Sequence, residues 1–348
     1  MGFLTVFSSA TREPQALAVP AKVAGVSILA MRLVDCLGVF GIIDLGKVIG
    51  GHMKTSDIQI RDPFVYADQK EETYYMFGTT DHDCWHGPGE GFDCYRSKDL
   101  SEWDGPIPAF RPSGRFWGKE DFWAPEVHKF NERFYMFASF IAKQRYRGTQ
   151  ILVAEDVFGP YEPLTKKPVT PTDWQCLDGT LHVDDDGNPW IVFCHEWVQI
   201  HNGSICAMRL TSDLKEAAGR PVFLFNASEA PWVRELSWPD KDSQYRFPTY
   251  VTDGPFLHRL GDGTLIMLWS SIGSKGYAMG VSRSENGQVS GLWRHDPEPL
   301  WAEDGGHGMI FKTFDGQLML TFHSPNQTPE ERAVFVAIQE LNGRIQLK

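Results

Sequence analysis

One couplet recurs five times along the chain, in altered form, and it constrains the fold more than any other feature. Its clearest copy is Arg61-Asp62-Pro63-Phe64-Val65-Tyr66, followed after a turn by the strand-like run Tyr74-Tyr75-Met76-Phe77-Gly78. The couplet returns as Ala124-Pro125-Glu126-Val127-His128 with Phe134-Tyr135-Met136-Phe137, and as Asp178-Gly179-Thr180-Leu181-His182 with Trp190-Ile191-Val192-Phe193. The last two copies are Asp253-Gly254-Pro255-Phe256-Leu257 with Leu265-Ile266-Met267-Leu268-Trp269, and His307-Gly308-Met309-Ile310-Phe311 with Leu318-Met319-Leu320-Thr321-Phe322. Copies recur at intervals of roughly 55 to 75 residues, a period that points to radial repetition of one supersecondary unit.

Each unit carries further strand signals. A third strand is predicted at Phe92–Arg96, Ile151–Asp156, Cys206–Leu210, Tyr277–Val281 and Ala333–Ala337, and Ser97-Lys98-Asp99-Leu100 turns into a fourth at Trp103. Turn dipeptides Asp186-Gly187, Asp262-Gly263, Asp315-Gly316 and Asn342-Gly343 punctuate the runs. No long amphipathic helix intervenes. Five four-stranded antiparallel units make an all-β, five-bladed propeller; a β-sandwich would not need five matching couplets.

This topology collects residues that are distant in sequence. The innermost strand of each blade lines a central channel, so the leading residues Asp62, Ala124, Asp178, Asp253 and His307 are expected at one mouth. The second strand returns to the same rim with Thr79, Asp81, Ser139, His195, Glu196, Trp197, Ser270 and His323. Three aspartates and a nearby glutamate at one mouth repel one another and destabilise the fold unless they are used. Facing carboxyls, one protonated and one ionised, are the equipment of glycoside hydrolysis, with a third to tune and orient the acid.

The residues Ile60-Arg61-Asp62-Pro63-Phe64, Phe122-Trp123-Ala124-Pro125-Glu126-Val127, Leu177-Asp178-Gly179-Thr180 with Asp184-Asp185-Asp186-Gly187, Asp253-Gly254-Pro255 and Gly305-Gly306-His307-Gly308 resemble glycoside hydrolase family 43 over roughly residues 57 to 340. The resemblance implies inverting chemistry on a five-bladed propeller. It makes Asp62 the general base and Asp178 the modulator of the acid's pKa. It makes His307 the channel histidine that helps hold a calcium ion or a water at the axis; no organic cofactor is implied. The chain departs from the family at the acid, where Asp253 stands in place of the usual Glu before Gly-Pro. Either Asp253 serves as the acid with a shifted substrate, or Glu196, with the longer arm, reaches in from the adjacent strand end; the balance leans to Glu196.

Other residues are candidates for holding sugar. Asp81 and His82 could bind hydroxyls and Trp85 could stack, all in the loop Thr80-Asp81-His82-Asp83-Cys84-Trp85-His86, whose spacing fits no zinc pattern. Trp123 and Trp197 are candidate walls, and Arg332 could enter the channel. The insertion 229–249, with Trp232, Trp238, Tyr245 and Phe247, is placed as one lip of the pocket.

The expected activity is that of an exo-acting glycosidase on plant-type side chains: α-L-arabinofuranosides, β-D-xylosides or galactosides. A non-catalytic sugar-binding propeller is the reading from another class. A fructan hydrolase would want an Asn-Asp-Pro-Asn-like opening, and a phosphorylase a basic phosphate pocket. A net charge of −12 over 348 residues argues against a nucleic-acid partner. No run of about 18 uncharged apolar residues exists, so no membrane span is expected. Residues 1–52 differ from the rest and are set apart as an N-terminal extension, disordered or non-native, with the propeller at 53–348. No clear signal peptide is found in them, which favours a cytoplasmic location. The six cysteines form no framework, although Cys84 and Cys94 could bridge in an oxidising compartment.

Overall fold

In the computed structural model, residues 51–236 and 247–348 are described. They form five antiparallel sheets around an axis. The first blade holds β1 (Gly51–Lys54), β2 (Arg61–Asp68), β3 (Thr73–Thr79), β4 (Phe92–Ser97) and β5 (Glu102–Phe110). The second holds β6 (Glu120–Phe130), β7 (Arg133–Ala142), β8 (Arg145–Ala154) and β9 (Glu162–Pro163). The third is β10 (Cys176–Val183), β11 (Pro189–His195), β12 (Ser204–Arg209) and β13 (Val222–Asn226), with the one-turn helix α1 (Trp197–Ile200) after β11. The fourth is β14 (Asp253–Arg259), β15 (Leu265–Gly273), β16 (Gly276–Ser284) and β17 (Trp293–His295). The fifth is β18 (Gly306–Lys312), β19 (Leu318–Ser324), β20 (Arg332–Leu341) and β21 (Arg344–Leu347).

Four blades have the expected four strands in sequence order, and the first has five. The addition is β1, which pairs outside β5 from Gly51↔Gly105 to Lys54↔Glu102. Gly51 and His52, assigned to the extension from sequence, therefore belong to the first blade's sheet; the rest of the extension lies outside the described residues.

Both faces of each blade are covered by its neighbours, which is why the strands read as continuous apolar runs rather than alternating ones. Five apolar clusters result, one per joint. Phe92, Phe110, Phe122 and Phe140 fill the joint between the first and second blades. Val192, Phe225, Trp269 and Trp293 fill that between the third and fourth. The ring closes where Ile60, Phe64 and Trp103 of the first blade pack on Met309, Phe311 and Ala333 of the fifth. At roughly 1.5–3 kcal/mol per fully buried large apolar side chain, these joints dominate the fold's stability.

The predicted turns also form. Gly187, Gly263 and Gly316 take positive φ, and Asn342 with Gly343 both do, as a two-residue hairpin requires. Cys84 and Cys94 are both buried free thiols. Among the described residues no helix is long and apolar enough to cross a membrane.

Candidate active site

Each inner strand is broken by a bulge at the same place, and the bulge aims the site. The pairs Arg61↔Thr79, Trp123↔Ser139, Leu177↔Cys194, Asp253↔Ser270 and Gly306↔His323 each mark the last regular pairing before the register shifts. The next residue in every case is left-handed: Asp62 (φ 52°), Ala124 (48°), Asp178 (53°), Gly254 (51°) and His307 (53°). For the four non-glycine residues this conformation costs on the order of 1–3 kcal/mol apiece, a strain found mostly where function or packing demands it.

The register corrects one expectation. Asp62, Asp178 and His307 are equivalent, as the repeat suggested, but Asp253 is not their counterpart. Gly254 is, and Asp253 stands one residue earlier, level with Arg61. The side chain at the preceding position leaves the backbone in another direction, so Asp253 approaches the axis differently from the other two aspartates. Gly254 is required at the bulge for a second reason: a Cβ there would come within 2.6 Å of the His307 ring.

Asp62, Asp178, Asp253 and His307 meet in one cavity of about 560 Å³, together with Glu196, Trp85, Trp123 and Trp197. Asp62 Oδ1 lies 3.1 Å from His307 Nδ1, and Thr79 donates its hydroxyl to Asp62 Oδ2 at 2.8 Å. The same His307 nitrogen lies 3.7 Å from Asp178 Oδ2. Tyr277 donates its hydroxyl to Asp253 Oδ2 at 3.0 Å.

The electrostatics separate the three carboxyls. Burial would raise the Asp62 carboxyl, but His307 and Arg61 outweigh it and hold it well below the ordinary range, ionised. Burial raises Asp178, against His307, with Asp253 and Asp62 adding to the rise. Burial also raises Asp253, against His307 and the Tyr277 hydrogen bond, with Asp62 and Glu196 adding to it. Burial opposes charge on His307, yet Asp62 and Asp178 carry its pKa up to about 10. His323 is pushed down to about 3 by burial and by Arg61. It is therefore neutral, and its Nδ1 accepts the Asp62 backbone N–H at 3.1 Å while Nε2 faces Asn326 Oδ1 at 3.1 Å. That pattern puts the ring proton on Nε2.

Glu196 is differently placed. It is buried, and both its oxygens lie 2.5 Å from Arg147 Nη1, whose other terminal nitrogen holds Asp121 at 2.5 Å. Burial raises its carboxyl and Arg147 opposes that rise. The Arg147 guanidinium also sits 4.1 Å above the Trp123 ring, and Arg61 sits 4.8 Å above Trp85. The two indoles meet edge to face at 5.2 Å. Trp85 is 45% exposed, so part of its ring is free to meet a sugar.

Three expected sugar-binding residues do not line this cavity. Asp81 accepts the backbone N–H groups of Glu90 and Gly91, pinning its own loop, and burial pushes its carboxyl up to about 6. His82 is exposed, and its carbonyl takes the Gln59 side chain. Arg332 donates to the carbonyls of Ser56, Pro329 and Glu331, tying the fifth blade to the first. The 229–249 insertion also divides. Trp232 is core, 5.0 Å from Trp269, and Phe247 is exposed beside His201, while Leu236 and, just past the insertion, Val251 reach the cavity. Trp238 and Tyr245 lie outside the described residues.

Sequence reasoning missed Arg147 and Tyr277 as site residues, and named Arg61 only within the motif around Asp62. Arg147 and Tyr277 come from third strands, where nothing in the local pattern distinguishes an axis-facing residue from any other. At His307, where the resemblance implied a calcium ion or a water, Nδ1 faces Asp62 Oδ1 at 3.1 Å and Asp178 Oδ2 at 3.7 Å. Among the described residues no group of three or more His, Cys, Asp or Glu is arranged to hold a metal.

The family model for glycosyl hydrolases family 43 matches residues 56–342. Among solved structures, an endo-arabinase from Bacteroides thetaiotaomicron is 42% identical, with a TM-score of 0.76 over 84% of this chain and 98% of its own. An endo-1,4-beta-xylanase from the same organism is 23% identical, with a TM-score of 0.66 over 86% of this chain and 97% of its own, a likeness that speaks for the fold. Comparison with curated proteins returned no match. With the family matched over most of its length and the fold of those enzymes reproduced, this chain belongs to glycosyl hydrolases family 43 and is a glycoside hydrolase.

Proposed function

We propose that the enzyme hydrolyses α-L-arabinofuranosyl linkages of an arabinan with inversion, with Asp62 as general base, Asp253 as general acid and Asp178 as the carboxyl that tunes and orients the acid. The observation that carries the assignment is the division of states within one cavity. Asp62 is held ionised by His307, whereas Asp253 and Asp178 are both raised toward neutrality; of these two, Asp253 is aimed by Tyr277, while an oxygen of Asp178 is taken by the Gly254 N–H. An ionised carboxylate can take a proton from water, and a neutral one can give a proton to the leaving oxygen. Glu196 is the weaker candidate for the acid, because its clamp on Arg147 favours the charged form and occupies its oxygens. Its part is to hold Arg147 against Trp123, and so to fix one wall.

The arabinan assignment rests on the 42% identity with an endo-arabinase. That likeness also favours cleavage within chains over the exo mode expected from sequence. A xylan chain is the second reading. For the axis, the protonated Nδ1 of His307 favours a water over calcium. Incubation with linear arabinan, xylan and nitrophenyl glycosides, with the product anomer followed by NMR, tests the reading. Inverted arabino-oligosaccharides are expected. Release of arabinose alone would restore the exo mode, and turnover of xylan alone would transfer the substrate to xylose polymers.

A further inference from the structure

Of the five inter-blade joints, all but the one beside the proposed acid repeat the same hydrogen bond. In four of them the N–H of the left-handed residue is received by a side chain at the end of the preceding blade's second strand. Ala124 N–H goes to Thr79 Oγ1 at 2.9 Å, Asp178 N–H to Ser139 Oγ at 2.9 Å, His307 N–H to Ser270 Oγ at 2.8 Å and Asp62 N–H to His323 Nδ1 at 3.1 Å. The position that should serve Gly254 is Cys194, paired with Leu177 as Ser139 is with Trp123. A thiol is a weak acceptor, and the Gly254 N–H goes instead to Asp178 Oδ2 at 2.9 Å.

We propose that Cys194 is a positioning residue. By leaving the Gly254 N–H unclaimed, it allows the Asp178 carboxyl to anchor on the backbone of the residue that follows Asp253. The proposal rests on the glycosidase reading for its kinetic consequence and on geometry alone for its structural one. Cys194 is fully buried and is not itself among the residues that line the cavity, although its strand partner Leu177 is. A hydroxyl in its place would restore the regular peg. It would compete for the Gly254 N–H and release the Asp178 oxygen. The tie between the tuning carboxyl and the strand that carries the acid would be lost. An unbonded methyl group would leave the tie alone.

The test compares Cys194→Ser with Cys194→Ala in the full chain. Expected for Cys194→Ser is a change in the Gly254 amide cross-peak and a fall in kcat of about tenfold on arabinosides with poor leaving groups, with KM and good-leaving-group substrates little changed. Expected for Cys194→Ala is a wild-type Gly254 amide and the wild-type ratio between good and poor leaving groups, whatever stability the smaller side chain removes. An unmoved Gly254 amide in Cys194→Ser, or the same response in both variants, overturns the proposal. If no arabinoside is turned over by the parent enzyme, the substrate reading fails, while the amide comparison still decides the role of Cys194.

Discussion

The Nδ1 of His307 lies 3.1 Å from Oδ1 of Asp62, and the two residues occupy the same left-handed position in neighbouring blades. The imidazole thus sits beside the carboxylate proposed as the general base, and the five-fold backbone itself delivers it there. Asp62→Asn keeps the shape and the Thr79 contact but loses the base. Turnover should fall by about 10²–10⁴-fold, the usual worth of general base catalysis, with the melting temperature retained. Undiminished hydrolysis of arabinan by this variant would remove Asp62 from the mechanism.

His307 also makes stability depend on pH. Its pKa rises from the ordinary 6.5 to about 10 on folding. A histidine with a raised folded pKa stabilises fully below 6.5, and that contribution is lost as pH climbs through 10. Wild-type unfolding free energy should therefore decline between about pH 6.5 and 10. His307→Asn should show a shallower decline over the same window, measured by urea denaturation. Parallel curves for the two proteins would mean that His307 is not the titrating group.

Tyr277 holds Asp253, the proposed acid, by a single hydrogen bond. A bond to a carboxyl of this kind is worth about 1.5–3 kcal/mol when the partner is charged, and somewhat less when it is neutral. Tyr277→Phe should cut kcat by about tenfold, most on substrates with poor leaving groups, because an unaimed Asp253 delivers its proton less well. Equal loss on good and poor leaving groups would separate Tyr277 from proton donation.

Asp253 and Glu196 should respond in opposite ways. Asp253→Asn should be nearly inactive on poor leaving groups and far less impaired on activated ones, with its fold intact. Glu196→Ala removes one of the two carboxylates that hold the buried Arg147 guanidinium and leaves it Asp121, a loss of up to about 3–5 kcal/mol, and should lower the melting temperature first. Stable, inactive Glu196→Ala with a strong leaving-group dependence would return the acid to Glu196.

With a water at the axis, as proposed, chelation should leave both melting temperature and turnover unchanged. Loss of activity on chelation, restored by calcium, would put an ion at the axis.

Much of the site was legible before the structure. The Asp62 and Asp178 couplets announced themselves because a repeated backbone break needs a repeated local pattern. Trp85, Trp123 and Trp197 were likewise found from their closeness to those motifs. Asp81 and Arg332 were equally plausible by position, but their side chains are held by backbone groups of their own neighbourhood. Nothing in a one-dimensional pattern reveals such a capture. Arg147 and Tyr277 escaped for the converse reason. They reach the cavity from strands farther out in the blade, and their importance comes from partners, Glu196, Asp121 and Asp253, that are not their neighbours in sequence.

The amino-acid sequence by itself determined the five-fold repetition, the antiparallel strands and the gathering of acidic residues at one end of the axis, because hydrophobic runs and turn dipeptides act over a few residues. Only the tertiary structure decided that Asp253 stands one residue ahead of its apparent counterparts, that Glu196 is clamped, and that the Gly254 N–H goes to Asp178. Those outcomes depend on register and on packing between blades, where a shift of one residue or the loss of one acceptor redirects a carboxyl across the cavity.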